Sequence, residues 1–431
     1  MTGTASLMTR ASDLRLYLWG QTASAFGSTL TATATSVVAV TVLDAGPREV
    51  SLIVAGATLP ALLFGPVLGT LADRVTRPRR TLVLVDLICA GTMLLCGALA
   101  LGGLLSVAIL AGTAFLLGLS QVVLNALYFS HLRSLDVGDL SRARGKLQTS
   151  ELLSRSVAAT VAGPLVAAVG ATLLFVMDSL TYLFSALSLR SLRSQDRRRE
   201  PAHPRTGLLR ELRAGGAAIR ANRLLVAFVV YAVLSNVALS GTIAQRAVFM
   251  LDTLQLPVAL YGLPSVAATL LAAVGTMAAS RLLSRRLTHR ELLVICLPAA
   301  GLSGLALPAA YGPLWLAMTA VVIGTALPVF FSAGANLAIV GVLSDDVGDE
   351  FFGRVSSLML SVATLAGTVG ALAGGLAGER FGVRGGLWLC QALAVLAALI
   401  FLVSVRRGRL DRPAPAPGAS PSVPEPGREA R

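Results

Sequence analysis

Twelve apolar stretches of membrane-crossing length run through this chain, near 14–43, 50–72, 81–101, 104–131, 147–169, 171–190, 224–248, 257–281, 291–311, 313–342, 355–379 and 385–405. A bilayer span takes about 20 mostly apolar residues. No water reaches a backbone there, so each such segment must close its own hydrogen bonds as a helix. The polar interval at 191–223 divides the stretches six and six. Only 13% of the residues are charged, against about a quarter in soluble domains. The fold expected is an all-α membrane protein of twelve transmembrane helices in two pseudo-symmetric six-helix bundles. Residues 1–190 form the first bundle, 191–223 a basic linker, 224–405 the second bundle and 406–431 a disordered tail. The first stretch is too long for a signal-peptide core and no cleavage site follows it, so it is expected to stay as the first span.

The net charge of +14 comes almost wholly from arginine. Its placement separates a nucleic-acid reading from a membrane one. With the N-terminus inside, 31 of the 36 basic residues fall in the loops, linker and tail of the cytoplasmic side. That bias places both termini in the cytoplasm of a multi-pass inner-membrane protein and makes the arginines anchors beside anionic lipid rather than a nucleic-acid surface. Within the linker, Leu208 to Ile219 can form a short amphipathic helix on the membrane surface, and the tail from Asp411 is rich in Pro and Ala. Four cysteines lie inside apolar stretches without CxxC or Cys/His spacing, which supports neither a metal site nor a disulfide framework. No phosphate-binding GxxxxGK[ST] loop is present. No cofactor is expected and no nucleophile–base spacing suggests an enzyme.

Between the second and third stretches stands "GTLADRVTRPRR", Gly69 to Arg80, one carboxylate among four arginines. Topology explains arginines in such a turn but not Asp73. An echo, "GTMAASRLLSRR", begins 206 residues later at Gly275, with Ala279 in place of the acid. A second echo pairs "GPLVAAVG" at Gly163 with "GALAGGLA" at Gly370, an offset of 207. Two echoes at nearly one offset indicate a duplicated six-helix unit, and paired repeats around a midplane site are characteristic of secondary transporters.

Six-plus-six spans, the basic linker and G-x-L-A-D-R-x-x-R-x-x-R together resemble the major facilitator superfamily. The loop matches that family's signature at Gly69, Leu71, Ala72, Asp73, Arg74, Arg77 and Arg80 and departs from it at Thr76 and Pro78. "LLGLSQVVLNA", "FVMDSLTYLFSA" and "FFGRVSSL" are most similar to the bacterial exporter branch with siderophore exporters and macrolide-efflux proteins. The resemblance implies a gate in which Asp73 meets the start of the eleventh helix at Gly353 and Arg354, with Arg133 as a second partner. A helix N-terminus carries about half a positive charge, which suits a carboxylate. Gly163 and Pro164 resemble the core of an antiporter signature, without its following glycines. The arginine that many proton-coupled exporters carry in the fourth helix is missing.

Ionisable residues inside spans are functional candidates, since an unpaired charge there costs a few kcal/mol or more. Asp178 and Asp86 are candidate proton carriers, with Arg246 a possible partner of Asp178 across the bundles. Glu151 and Arg155, four apart, are further proton-coupling candidates, expected as a local ion pair with a gating role as the alternative. In the first helix Gln21, Ser24, Ser28, Thr31 and Thr35 step by three and four residues along one face. With Gln121, Asn125, Phe129, Tyr231, Ser235, Thr242 and Asn336 they are pathway candidates, the alternative being close packing of small polar residues between helices. The function expected is export of a small, partly apolar molecule by alternating access in exchange for protons, by a monomer among membrane lipids. An importer or uncoupled transporter of the same fold, and a non-transporting receptor or assembly protein, are the alternatives.

Overall fold

The computed structural model describes residues 2–75, 77–134, 140–191, 219–220, 223–285, 287–346 and 349–410. Nearly all of the expected linker helix and the whole tail from Asp411 lie outside the described residues. Helices α1 (Thr2–Thr41), α2 (Pro47–Arg74), α3 (Pro78–Leu101) and α4 (Val107–Ser134) come first. The helical run Leu140–Ser191 turns at Gly170 (φ 75°, ψ 169°), giving α5 (140–169) and α6 (171–191). Then come α7 (Arg223–Val248), a π-helical turn (Phe249–Thr253), a 3-10 turn (Val258–Leu260), α8 (Leu263–Arg285), α9 (His289–Gly304) and α10 (Leu314–Asp346). The run Asp349–Leu410 turns at Gly382 (φ 75°, ψ 157°) into α11 (349–381) and α12 (383–410). Such a backbone is open essentially to glycine alone, and both halves use it between their last two helices.

Among the described residues, ten helical segments are long and apolar enough to cross a membrane, the last of them containing the Gly382 turn. The ninth stretch expected at 291–311 is shorter than read: α9 has 16 residues and ends at Gly304. The "LALPAAYGP" that follows carries two prolines and a glycine at φ 89°, which cannot continue a helix. Pro78, unusual in the loop signature, has a local reason. It is the first residue of α3, where its missing N–H has no helical partner to lose.

Packing repeats between the halves. The α5–α6 run lies against α1 and the α11–α12 run against α7; α4 packs on α2 and α10 on α8; α3 and α9 complete each set against the paired run of their own half. Close approach depends on glycine. A Cβ at Gly118 would stand 2.3 Å from the Ala57 carbonyl oxygen of α2, and one at Gly275 would stand 2.3 Å from that of Phe330 in α10. Between the halves, α2 meets α11 and α7, while α5 meets α8 and the 3-10 turn before it.

The apolar cores are unequal at the two ends. At the basic end, where the loops after α2 and α8 carry their arginines, each half has its own core. Tyr17, Leu82, Leu124, Leu127, Leu147 and Leu189 form one, and a set around Phe228, Leu293, Ile339 and Phe401 forms the other. At the opposite end one core serves both halves, joining Val37, Ile53, Met93 and Phe175 to Phe249, Met250, Leu307 and Val321. Among the described residues, a buried apolar core common to both halves is found at the end away from the arginines.

Replacing Gly118 by Ala should force α2 and α4 apart and cost about 1–3 kcal/mol, read as a lower melting temperature in detergent. Gly112→Ala, where a Cβ meets nothing within 4 Å, should melt at or slightly above the parent temperature.

Candidate functional site

Three helices of the first half converge on a small hollow. Gln21, Ser24 and Ser28 reach it from α1, Gln121, Leu124 and Asn125 from α4, and Glu151 and Arg155 from α5. The serine–threonine stripe of α1 divides at this point. Its first three members line the hollow, whereas Thr31 and Thr35 are buried beyond it. α1 is fastened to α5 by two bonds that the sequence pattern did not single out. The Thr22 hydroxyl donates to Ser150 Oγ at 3.0 Å, and the Ser154 hydroxyl donates to the Thr22 carbonyl at 2.7 Å. Ser150 and Ser154 are themselves four apart on α5, a spacing that could have marked that face.

The polar groups of the hollow are only partly satisfied by one another. Gln121 Nε2 donates to Asn125 Oδ1 at 3.0 Å, one turn along α4. Gln21 is 2% exposed, yet its Nε2 has no partner. Glu151 and Arg155 both face the hollow, but their charged atoms do not come within 4.0 Å of each other. The expected local ion pair is thus replaced by two charges a turn apart on one wall.

The two aspartates of the spans are elsewhere. Asp178 is fully buried between α1 and α6, accepting from the Thr181 hydroxyl at 3.1 Å. Gly27 of α1 presses on it so closely that a Cβ there would be 2.2 Å from Oδ1. Asp86 is fully buried between α3 and α6 and accepts from the Ser185 hydroxyl at 2.7 Å. Neither lines the hollow, and Asp178 does not meet Arg246. The Arg246 guanidinium lies 5.7 Å from the centre of the Tyr261 ring, a cation–π contact at the end away from the basic loops.

The second half places its candidates differently. Tyr231 is packed among aromatic rings, 6.3 Å from Phe228 and 6.1 Å from Phe401, inside that half's own core. The Thr242 hydroxyl donates to the Ala238 carbonyl and accepts from Gln391 at 3.1 Å, which ties α7 to α12. Ser235 sits half-buried a turn along α7 from Tyr231, and Asn336 is exposed on α10. None of these four reaches the hollow. Packing between helices is what holds Tyr231 and Thr242, the alternative that the sequence left open.

Gly69, Asp73 and Arg74 end α2, Arg133 ends α4, and Gly353 and Arg354 begin α11. Their side chains, with that of Phe129, lie outside the described residues. Of the same loop, Arg77 precedes α3 and is exposed, while Arg79 donates to the Arg190 carbonyl at the end of α6. A cation there suits the negative end of a helix. Gly163 has a different use. A Cβ on it would stand 2.7 Å from the Val258 carbonyl oxygen, so α5 rests on the lead-in to α8 across the two halves, with Pro164 exposed beside it. No group of His, Cys, Asp and Glu among the described residues is arranged to hold a metal ion.

A family model described as transmembrane secretion effector matches residues 9–426. The chain belongs to the transmembrane secretion effector family. It is a transporter of the major facilitator type, and solved transporter structures share its fold. The nucleoside transporter NupG superposes with a TM-score of 0.72 at 12% identity, over 91% of this chain and 99% of that one. A bacterial homologue of the iron transporter ferroportin, in an inward-facing state, gives 0.71 at 17%, over 91% and 98%. The peptide transporter PepTSo gives 0.70 at 14%, over 93% and 99%. At these identities the likeness establishes the fold. A search of curated proteins by sequence returns no match.

Removing the Ser185 hydroxyl by Ser185→Ala withdraws the donor from a fully buried carboxyl. The expected loss is about 1–3 kcal/mol, seen as a lower melting temperature of the purified protein.

Proposed function

We propose that the protein is a secondary active exporter of the cytoplasmic membrane, moving a small, partly apolar molecule by alternating access in exchange for protons. The observation that carries this reading is the unequal pair of ends. Among the described residues a shared apolar core joins the halves at one end, while at the basic end each half has a core of its own. With the arginine-rich end in the cytoplasm, the conformation described is the one that loads substrate from inside. Both termini then face the cytoplasm.

Release on the far side requires the shared end to part. The contacts that would part are specific. Thr368 of α11 donates to Thr58 of α2 at 3.1 Å, and Arg48 pairs with Glu379 at 3.6 Å across the same helices. That ion pair is exposed on both sides and so is worth about 0–1 kcal/mol, suitable for a contact that must break in each cycle. In our reading Asp73, with Arg133 and the start of α11 at Gly353, forms the opposing latch when the cytoplasmic end closes.

For proton coupling we assign Glu151 rather than Asp178 or Asp86. It is the one carboxyl of the three that faces the hollow, where substrate and proton could succeed each other. Asp178 and Asp86 are enclosed by hydroxyls and close helix contacts, which suits a packing role.

The experiment is a substrate-panel efflux assay in a host lacking its own exporters. At least one compound should accumulate less in expressing cells, and a protonophore should restore its accumulation. No flux of any compound under a pH gradient or a membrane potential would favour a receptor or assembly protein instead. Two variants sharpen it. Glu151→Gln should lower proton-driven efflux at least about tenfold while Asp178→Asn retains it. In a background without the four native cysteines, a Thr58→Cys, Thr368→Cys pair should stop transport on oxidation and recover with dithiothreitol. Full transport in the oxidised pair would remove the far-side gate.

A further inference from the structure

The hollow contains more than a proton site needs. It holds one cation, one anion, a pair of linked amides and a buried amide nitrogen without a partner, all from the first half. A water-filled passage asks for none of these in a fixed arrangement. Leaving a buried amide N–H unsatisfied is costly, and Gln21 is held in that state at 2% exposure. A ligand acceptor in the hollow would complete it.

Glu151 and Arg155 stand on one wall of α5, four residues apart. That spacing places their Cβ atoms about 5–6 Å apart. Their charged ends are not in contact, so each is free to receive an opposite charge. An α-amino-acid head, with its carboxylate and ammonium on one carbon, spans such an interval. The hollow is small and lined by the first half alone, so a head group rather than a whole substrate would enter it.

We propose that this hollow is a head-group subsite for a zwitterion, with Arg155 and the Gln21 amide receiving a carboxylate and Glu151 a protonated amine. The linked amides of Gln121 and Asn125 close the opposite wall. The apolar part of the substrate then lies outside the hollow, toward the second half. This deepens the transporter reading and rests on it for the direction of movement only. Because the amine and a proton share Glu151, binding one excludes the other, which is the condition for exchange.

The test uses the full chain in lipid nanodiscs and equilibrium binding of three probes of one shape. L-phenylalanine carries both charges, N-acetyl-L-phenylalanine the carboxylate alone, and L-phenylalaninamide the amine alone. The zwitterion should bind at least about tenfold more tightly than either singly charged probe, as expected for a charge-assisted contact. Arg155→Gln should erase the preference over the amide, and Glu151→Gln the preference over the acetylated probe. Arg155→Lys should keep most of the first. Melting curves and gel-filtration profiles matching the parent show that the variants fold. Equal affinity for the three probes, a preference that survives the substitutions, or no binding of the zwitterion overturns the proposal. Flux of some other compound with no zwitterion binding would sink this inference and leave the exporter standing. Zwitterion binding without flux of any compound would do the reverse.

Discussion

The structure depends on one apolar contact, the core that both halves share at the end away from the arginines. Within a bilayer there is little hydrophobic drive between helices, so association relies on close fit. Phe249, Met250 and Leu307 of the second half pack with Val37, Ile53 and Met93 of the first. At the other end, among the described residues, each half has a core of its own. The halves can therefore separate there without exposing an unfinished core.

Glycine sets how near the rods come. Gly118 and Gly275 let α4 meet α2 and α8 meet α10 within each half. Gly163 and Gly375 act between the halves, against Val258 and Ser51. The repeat is thus one of helix pairing rather than of identical contacts. Gly370, the counterpart of Gly163 in the sequence echo, packs instead on Val237 of its own half. The two halves share a scaffold of paired helices, while their interface contacts differ.

Much of the fold was legible in the sequence because a bilayer leaves few choices. Length and apolar content alone mark each span. The short α9 was not, since Pro308 and Gly312 sit in a stretch whose composition still reads as a span. Within the site, the polar face of α1 and the Glu151–Arg155 spacing were visible from helical periodicity. Three of the five stripe residues line the hollow; Thr31 and Thr35 do not, because periodicity gives a face but not a depth. Asp178 and Asp86 look alike to a reader of charge in apolar runs. What separates them from Glu151 is which helices lie opposite, and that is set by contacts such as Gly27 on Asp178 and Ser185 on Asp86 that are remote in sequence.

The central claim is that closure at one end and opening at the other alternate. Spin-label distances between the halves measure this directly, with one pair at Arg80 and Arg406 on the basic end and one at Gly103 and Tyr311 on the far end. Recorded across a range of pH with and without transported compounds, the two distances should each show two populations that exchange in opposite senses. A single fixed distance at both ends under every condition, or two ends that widen together, would contradict the account.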